Sequence, residues 1–231
     1  MIKAILWDVD GTLLDFKAAE SAAVKSLFKE FGLGECTDEM VARYSEINDG
    51  FWKRLEKGEI TKPQVLIGRF EQFFSEYNID KNMVPEFNER YQLRLGDTIV
   101  FKDDGYNIVK SLKGRIKQYA VSNGTVKAQT KKLETSGLGK LFDGVFLSEE
   151  VGAEKPNKIF FDKVFLSISP IKMQDAIIVG DSLSGDIKGG NDYGIKTCWY
   201  NPDKQKADDK YKIDYVISDL HEIYDVLGIK P

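Results

Sequence analysis

Short apolar segments alternate with helical segments in the second half of this chain, and this alternation strongly limits the possible folds. Strands are predicted at residues 116–121, 144–147, 176–179, 196–200 and 215–217, and helices at 103–112, 125–136, 157–168, 184–193 and 220–227. Strands that alternate with helices form right-handed βαβ units, which build a parallel sheet covered by helices on both faces. We therefore expect an α/β fold with a parallel sheet flanked by helices.

A further strand is predicted at the start of the chain, where an apolar run begins at Ile2 and ends before Asp8. Such a run is typical of a strand that is buried on both faces. The next segment, from Phe16 to Leu95, shows only helical periodicity, with four predicted helices. The sequence thus predicts an α/β core formed by residues 1–15 and 96–231, and an inserted helical domain formed by residues 16–95.

Composition excludes several classes of function. The 231-residue chain is 42% hydrophobic and 30% charged, which is typical of a globular protein in aqueous solution. Its net charge of -4 gives no general attraction for nucleic acid polymers or membranes, and no apolar run is long enough to span a bilayer. Cys36 and Cys198 lack metal-binding spacing and are expected to be reduced thiols, so we expect a cytoplasmic protein. The one histidine, His221, is predicted at the surface, which argues against histidine-based catalysis.

Two acidic residues follow the first predicted strand. Asp8 and Asp10 are succeeded by Gly11, which permits a sharp turn and lets backbone N–H groups approach an anion. Because ligands of open α/β sheets bind outside the carboxyl ends of the strands, these acids are expected at the mouth of a site. If the turn brings Asp10 beside Asp8, one acid can act as a nucleophile and the other as a general acid/base. Taken alone, the segment could also be a solvated Asp-Gly turn.

Polar residues suited to an anion site follow the second predicted strand and precede a later helix. Ser122 and Asn123 lie at the start of a helix, where a hydroxyl, an amide and backbone N–H groups could hold a phosphoryl oxygen. An N-cap turn is the alternative for this pair. Lys155 directly precedes Pro156 and a predicted helix, and it is expected to face the site, although a lone lysine is usually exposed to solvent.

Asp181 and Asp186 follow the strand at 176–179 and bring the number of acids at this edge to four. Four converging carboxylates repel one another unless a cation neutralises them. A hard cation such as Mg²⁺ resolves the repulsion, whereas zinc is disfavoured because Cys and His ligands are lacking. Taken singly, Asp181 could be a capping acid and Asp186 a surface charge on a helix.

These segments resemble, in order, the four signature motifs of the haloacid dehalogenase-like (HAD) hydrolase superfamily. The corresponding residues are Asp8-Val9-Asp10-Gly11-Thr12, Ser122, Lys155 and Gly180-Asp181-Ser182-Leu183-Ser184-Gly185-Asp186. The resemblance implies a HAD-like Rossmannoid parallel sheet flanked by helices, and it identifies the inserted helical domain as an all-α cap of the C1 type.

The resemblance also implies roles for these residues. Asp8 would form an aspartyl-phosphate, and Asp10 would protonate the leaving oxygen and then activate the hydrolytic water. Mg²⁺ would be bound by Asp8, by the backbone carbonyl of Asp10 and by Asp181, with Asp186 as a further ligand or as an acid that orients Lys155. The predicted catalytic residues are Asp8, Asp10, Ser122 and Lys155, and the predicted phosphate-binding residues are Gly11, Thr12, Ser122, Asn123 and Lys155.

Segments of both domains are similar to the YjjG/YfnB group of the superfamily, whose members are nucleoside 5′-monophosphatases that favour pyrimidines. In the helical domain the similar segments are Asn48-Asp49-Gly50-Phe51-Trp52, Gly58-Glu59-Ile60-Thr61 and Arg69-Phe70, and in the core they are residues 180–190 and 197–202. Phe51 or Trp52 could stack on a base, although packing inside the cap is the simpler interpretation.

The predicted function is a Mg²⁺-dependent phosphatase acting on small phosphate monoesters, with pyrimidine nucleoside 5′-monophosphates as the favoured substrates. Haloacid dehalogenases lack an acid at the position of Asp10, so the resemblance argues against dehalogenation. The alternatives are a sugar-phosphate or phosphoglycolate phosphatase, or a β-phosphoglucomutase-like enzyme, because all share this core. A non-catalytic phosphate-binding module is disfavoured, since binding alone needs no proton-transfer acid. The expected partner is a small phosphorylated metabolite rather than nucleic acid or membrane, and the expected state is a monomer or dimer.

Overall fold

The computed structural model describes residues 2–231, which divide into two compact units. The first unit contains the described residues up to Asp15 together with Val100–Pro231, and the second contains Phe16–Ile99. The first unit thus resumes at Val100, slightly later than the position inferred from the sequence. The backbone N–H of Asp97 donates to the carbonyl of Arg94 at 3.0 Å, which keeps this turn with the last helix of the helical unit.

Ten α-helices occur within the described residues. In chain order they are α1 (Phe16–Glu30), α2 (Asp38–Glu56), α3 (Lys62–Glu76), α4 (Val84–Arg94), α5 (Gly105–Leu112), α6 (Val126–Ser136), α7 (Ser148–Val151), α8 (Lys158–Ser167), α9 (Lys188–Tyr193) and α10 (Ile223–Leu227). The first four form the helical unit and the other six belong to the first unit. No helix in the described part of the chain combines the length and apolarity needed to cross a membrane.

The first unit is built on a six-stranded sheet. Its strands are β1 (Ala4–Trp7), β2 (Lys117–Ser122), β3 (Gly144–Leu147), β4 (Ala176–Gly180), β5 (Lys196–Tyr200) and β6 (Tyr215–Ile217). They pair in the order β3-β2-β1-β4-β5-β6, and every pairing is parallel. The predicted α/β fold with a parallel sheet is therefore confirmed.

The register of the central strands aligns the places where they end. Trp7 of β1 lies opposite Ala120 of β2 and opposite Val179 of β4. The chain extends the sheet from β1 towards β3 on one side and from β4 towards β6 on the other, so the strand order reverses between β1 and β4. Such a switch point leaves a crevice at the carboxyl ends of the strands, which is where ligands bind in open α/β sheets.

Both faces of the sheet are covered, which explains why the strands are so apolar. On one face, Leu6 and Ile178 belong to a buried cluster that includes Phe160 of α8. On the other face, Gln118 of β2 accepts a hydrogen bond from the Trp7 indole at 3.1 Å and donates one to the Val109 carbonyl of α5 at 2.9 Å. The polar Gln118 side chain is fully buried, and both of its contacts tie the sheet to its cover.

The helical unit packs around an aromatic core that contains a buried polar network. The core aromatics are Phe28, Tyr44, Phe70, Phe73, Phe74, Phe87 and Tyr91. Arg69 donates to Asn48 at 2.8 Å and to Asn88 at 3.1 Å, and Asn48 donates to the buried carboxylate of Glu20 at 2.8 Å. The Trp52 indole donates to Asn48 at 3.1 Å, so this half-buried side chain is engaged within the helical unit.

The helix predicted at 184–193 is the element that differs most from the sequence-based expectation. Residues Leu183–Ile187 form a wide π-type turn, and α9 begins only at Lys188. The Ser182 hydroxyl accepts from the Gly185 N–H at 2.9 Å, and the Ser182 carbonyl accepts from the N–H groups of Asp186 and Ile187. These local bonds widen the turn, because a carbonyl that serves residues four and five positions later departs from α-helical spacing.

Candidate active site

The ends of β1 and β4 bring three carboxylates together. Oxygen atoms of Asp8, Asp181 and Asp186 all lie within 4.8 Å of one another. The parallel register explains the meeting, since Asp8 and Asp181 each follow a strand that ends at the same level of the sheet. Asp8 and Asp186 are buried, whereas Asp181 is exposed to solvent. We call these three residues the acidic cluster.

Lys155 is the cation of this site. Its ammonium donates to Asp8 at 2.8 Å, to Asp186 at 2.7 Å and to the backbone carbonyl of Val121 at 2.8 Å. Three acceptors match the three N–H donors of an ammonium group, so its orientation is fixed. Burial by itself lowers the pKa of Lys155, but the carboxylates of Asp186 and Asp8 outweigh burial and raise it above 10.5. Lys155 therefore stays charged.

Asn123 holds the backbone of Lys155 in place. The Asn123 side chain donates to the Lys155 carbonyl at 2.9 Å and accepts from the Lys155 N–H at 2.8 Å. Its amide is thus occupied by this pairing, and its backbone N–H is the group that could face an anion. Ser122 is buried, and its hydroxyl accepts from the Gly124 N–H at 3.0 Å, which shapes the turn between β2 and α6.

Thr12 connects two members of the acidic cluster. Its buried hydroxyl lies 3.1 Å from an oxygen of Asp8 and 3.2 Å from an oxygen of Asp181, and it accepts from the Asp181 N–H at 3.1 Å. The neighbouring Gly11 has a φ of +93°, and a Cβ there would lie 2.5 Å from Asp181. Only glycine fits this backbone position, because both the φ angle and the contact exclude a side chain.

The Asp10 carboxylate lies outside the acidic cluster. One of its oxygens accepts from the Gln129 amide at 2.5 Å, and the other accepts from the Lys132 ammonium at 2.6 Å. The structure therefore gathers three of the four acids expected at this edge. The attraction of the Lys132 charge accounts for the separate position of Asp10.

Sequence reasoning missed Gln129 and Lys132. Both lie on α6 and both are buried, at 0% and 2% exposure. The available signal was their spacing of three residues, which places two polar side chains on the same side of a helix. That side also carries the buried Leu133, so the sequence pattern pointed to packing rather than to a site.

The protein surroundings disfavour the ionised form of the acidic cluster. Burial raises the pKa of Asp8 from 3.8 to about 7, because the attraction of Lys155 offsets desolvation only in part and the charge of Asp186 adds to it. Desolvation by surrounding atoms and the charges of Asp8 and Asp186 also raise the pKa of Asp181. An added positive charge would relieve both effects.

The acidic cluster fits a hard divalent cation. All three side chains offer carboxylate oxygens, the donor type that Mg²⁺ and Ca²⁺ prefer. Ligands on opposite sides of one Mg²⁺ are about 4.2 Å apart, which is close to the 4.8 Å limit that encloses the three oxygens. Asp8, Asp181 and Asp186 are therefore the residues that could hold such an ion.

Comparisons with known proteins show similarity over most of the chain. A family model described as haloacid dehalogenase-like hydrolase matches residues 5–200. The chain is 35% identical to the HAD-hydrolase YfnB of Bacillus subtilis (strain 168) over 228 residues, which cover 99% of this chain and 96% of YfnB. A crystal structure of YfnB bound to magnesium matches with a TM-score of 0.91 over 99% of each chain.

Two further relatives are described as pyrimidine 5′-nucleotidases. PynA of Streptococcus pneumoniae (strain ATCC BAA-255 / R6) is 34% identical over 226 residues, which cover 97% of this chain and 94% of PynA. YjjG of Escherichia coli (strain K12) is 28% identical over 223 residues, which cover 96% of each chain. The similarity to both relatives extends over the helical unit as well as the sheet.

Proposed function

Because this chain belongs to the haloacid dehalogenase-like hydrolase family, we propose that it is a Mg²⁺-dependent phosphatase of small phosphate monoesters. The observation that carries the proposal is the contact of one buried ammonium, that of Lys155, with both Asp8 and Asp186 of the acidic cluster. This arrangement holds a fixed positive charge beside a buried carboxylate, that of Asp8, which would serve as the nucleophile. Phosphoryl transfer needs such positioning and charge neutralisation above all.

Pyrimidine nucleoside 5′-monophosphates are the substrates that we propose. The similarity to PynA and YjjG, which are described as pyrimidine 5′-nucleotidases, supports this class. It extends through residues 16–99, the unit that would serve as a cap and determine substrate choice.

Asp8, Asp181 and Asp186 would hold the Mg²⁺ ion, together with the backbone carbonyl of Asp10. When bound, the ion would neutralise charge on the carboxylates and on the phosphoryl oxygens. The hard oxygen donors and their mutual distances support this assignment. Asp186 also accepts from Lys155, so it would orient the ammonium whether or not it touches the ion directly.

Asp8 would be the nucleophile. One of its oxygens attacks phosphorus, an O–P bond forms, and the bond between phosphorus and the leaving alcohol oxygen breaks as Asp10 gives that oxygen a proton. Lys155 and the Thr12 hydroxyl contact different oxygens of Asp8, which keeps the carboxylate in one orientation. The fixed charge of the Lys155 ammonium would attract the oxygens of the transferred group, and the Ser122 hydroxyl and the backbone N–H groups near Gly11 would donate hydrogen bonds to them.

Asp10 would then act as a base in the second step. It accepts a proton from a water molecule as the water oxygen attacks phosphorus, and the bond between Asp8 and phosphorus breaks. The products are inorganic phosphate and the free carboxylate of Asp8. The same residue therefore serves as acid and base in succession, and its protonation state is restored at the end of each cycle.

A phosphate-release assay tests this proposal. UMP, dTMP, glucose phosphates and phosphoglycolate are compared with Mg²⁺ and with EDTA, using the wild-type protein, Asp8→Asn and the control Asp162→Asn. Asp162 lies on the exposed side of α8, where it accepts from Tyr193, so its variant should keep full activity. We expect faster turnover of UMP or dTMP than of glucose phosphates, no turnover in EDTA and none by Asp8→Asn.

Other outcomes would redirect or refute the assignment. Equal or faster turnover of phosphoglycolate would replace the nucleotide class with the sugar-phosphate class. Isomerisation of a sugar phosphate without release of phosphate would indicate a mutase. Phosphate release by Asp8→Asn at the wild-type rate would refute the nucleophile.

A further inference from the structure

We propose that Lys132 and Gln129 of α6 are positioning residues for Asp10, and that their contacts hold its carboxyl group where it exchanges a proton with the leaving oxygen. The inference rests on the proposed function, which assigns proton transfer to Asp10. It adds two residues to the proposed mechanism that neither composition nor the strand-end motifs indicate. Neither residue contacts the reacting atoms in this proposal, since both act through Asp10.

The contacts fix both the position and the rotation of the Asp10 carboxylate. Gln129 donates to one carboxylate oxygen at 2.5 Å, and Lys132 donates to the other at 2.6 Å. A carboxylate held at both oxygens by donors on one helix has little freedom to rotate. The Asp10 side chain itself is 22% exposed, whereas the Lys132 side chain is 2% exposed. The donors are therefore rigid and buried, and the acid that they hold still reaches solvent.

The Lys132 and Gln129 side chains are energetically unfavourable on a buried helix face. Placing an ammonium or an amide away from water costs free energy unless every polar group is paired. The Oε1 atom of Gln129 is buried and has no hydrogen-bond partner among the described residues. An apolar side chain would avoid this cost, as Leu133 does on the same helix. The hydrogen bond from Gln129 to Asp10 is the favourable interaction that an amide at this position makes.

Helix α6 links the Asp10 contacts to the turn that would bind the phosphoryl group. The turn formed by Ser122, Asn123 and Gly124 leads directly into α6. A Cβ on Gly124 would lie 2.4 Å from the Gln129 amide nitrogen, so Gln129 packs directly against that turn. The same rigid helix would therefore set the distance between the bound phosphoryl group and the acid that protonates its leaving oxygen.

The chemistry of the leaving group separates positioning from a merely structural role. The 5′-oxygen of a nucleoside leaves as a strongly basic alkoxide unless it is protonated, whereas p-nitrophenolate is weakly basic and leaves without a proton. General acid catalysis contributes about 10²- to 10⁴-fold where the proton is needed. Misplacing Asp10 should therefore slow the hydrolysis of UMP and leave that of p-nitrophenyl phosphate nearly unchanged. A general disturbance of the site would slow both.

The experiment compares kcat/KM for UMP and for p-nitrophenyl phosphate in the presence of Mg²⁺. For each ester, kcat/KM reports the steps up to departure of the leaving group. The variants are Lys132→Met, Lys132→Arg and Gln129→Met, with Lys131→Met as the matched control, since Lys131 is the neighbouring lysine of α6 and is half-buried, whereas Lys132 is buried. Thermal unfolding of each variant identifies any loss of the fold, and the two positions provide independent tests.

For Lys132→Met we expect kcat/KM to fall about 10- to 100-fold with UMP and less than about threefold with p-nitrophenyl phosphate. Gln129→Met should show the same selectivity with a smaller loss. Lys132→Arg should recover most of the activity with UMP, and Lys131→Met should match the wild type with both esters. If the wild type is active and kcat/KM falls equally with both esters in folded Lys132→Met and Gln129→Met, this inference is overturned and the proposed function stands. A wild-type protein that hydrolyses neither ester would refute the proposed function and this inference with it.

Discussion

Replacing Asp181 with asparagine should stabilise the metal-free protein and abolish its stabilisation by Mg²⁺. Asp181 has carboxylate neighbours in Asp8 and Asp186, with oxygens of all three within 4.8 Å of one another. Two unit charges at 4.8 Å repel by about 3.5 kcal/mol at an effective dielectric constant of about 20, and by about 0.9 kcal/mol in bulk water. Because Asp181 is exposed and Lys155 offsets part of the repulsion, we expect a net gain of about 1–2 kcal/mol.

The substitution is close to isosteric, so it tests charge rather than packing. An asparagine keeps an oxygen that can accept from the Thr12 hydroxyl, as Asp181 does at 3.2 Å. It carries no charge, however, and an amide oxygen is a weaker ligand for a hard cation than a carboxylate. Loss of the charge should therefore raise the stability in EDTA, whereas loss of the carboxylate ligand should remove the stabilisation that Mg²⁺ gives to the wild type.

Thermal unfolding in EDTA and in Mg²⁺ at constant ionic strength measures both effects. A stability change of 1 kcal/mol shifts the midpoint by about 2–4 °C in a chain of this length, so Asp181→Asn in EDTA should unfold about 2–8 °C above the wild type. At 100 times its dissociation constant, Mg²⁺ should add about 2.7 kcal/mol to the wild type and almost nothing to the variant.

Asp162→Asn serves as the control, because it removes one acid from the exposed surface of α8 in the same unit. It should behave as the wild type in both conditions. The reasoning would be refuted if Asp181→Asn were less stable than the wild type in EDTA, or if Mg²⁺ raised both midpoints equally.

The remaining predictions concern stability. Burial raises the pKa of Glu20 above 4.5 in the folded protein. The folded state therefore gains stability from the protonated Glu20 carboxyl group; this gain is fully present below pH 4.5 and is lost as the pH rises through the raised pKa. The stability of Glu20→Gln relative to the wild type, measured by urea unfolding, should therefore increase from pH 4.5 to neutral pH, and no change would contradict this. Gly190→Ala should lower the free energy of unfolding by about 1–3 kcal/mol, since a Cβ there would lie 2.7 Å from Thr197 and 2.8 Å from Ile178. Gly50→Ala adds a Cβ that meets no described atom within 4 Å beyond its chain neighbours and the backbone of its own helix, so it should raise the free energy of unfolding by up to about 1 kcal/mol; reversed signs in urea unfolding would refute both predictions.

The fold was predictable because its signals are local and repeated. Each strand of the sheet is a short apolar run bounded by turn residues, and in each helix between strands the apolar residues recur at helical spacing. Parallel pairing follows from the alternation of strands and helices, since only a crossover can join parallel strands. The broken helix before Lys188 was not predictable in this way, because a few bonds to Ser182 determine where the π-type turn ends.

The convergence of Asp8, Asp181 and Lys155 was also predictable, because all parallel strands end at one edge of a sheet. The partners of individual side chains were not. Thr12 was expected to bind phosphate, and the structure adds that its hydroxyl lies between Asp8 and Asp181. The side chain of Asn123 is bonded to the backbone of Lys155. Such pairings depend on side-chain rotamers and on residues far apart in the sequence, which no periodic pattern encodes.

The amino-acid sequence by itself determined the order of strands and helices, the covered parallel sheet and the set of acids at its carboxyl edge, since periodicity and strand ends are properties of short segments. Tertiary structure alone decided that the Asp10 carboxylate would lie with Gln129 and Lys132 rather than in the acidic cluster. The physical reason is that a buried ammonium attracts a nearby carboxylate strongly, and the position of that ammonium depends on how α6 packs within its unit.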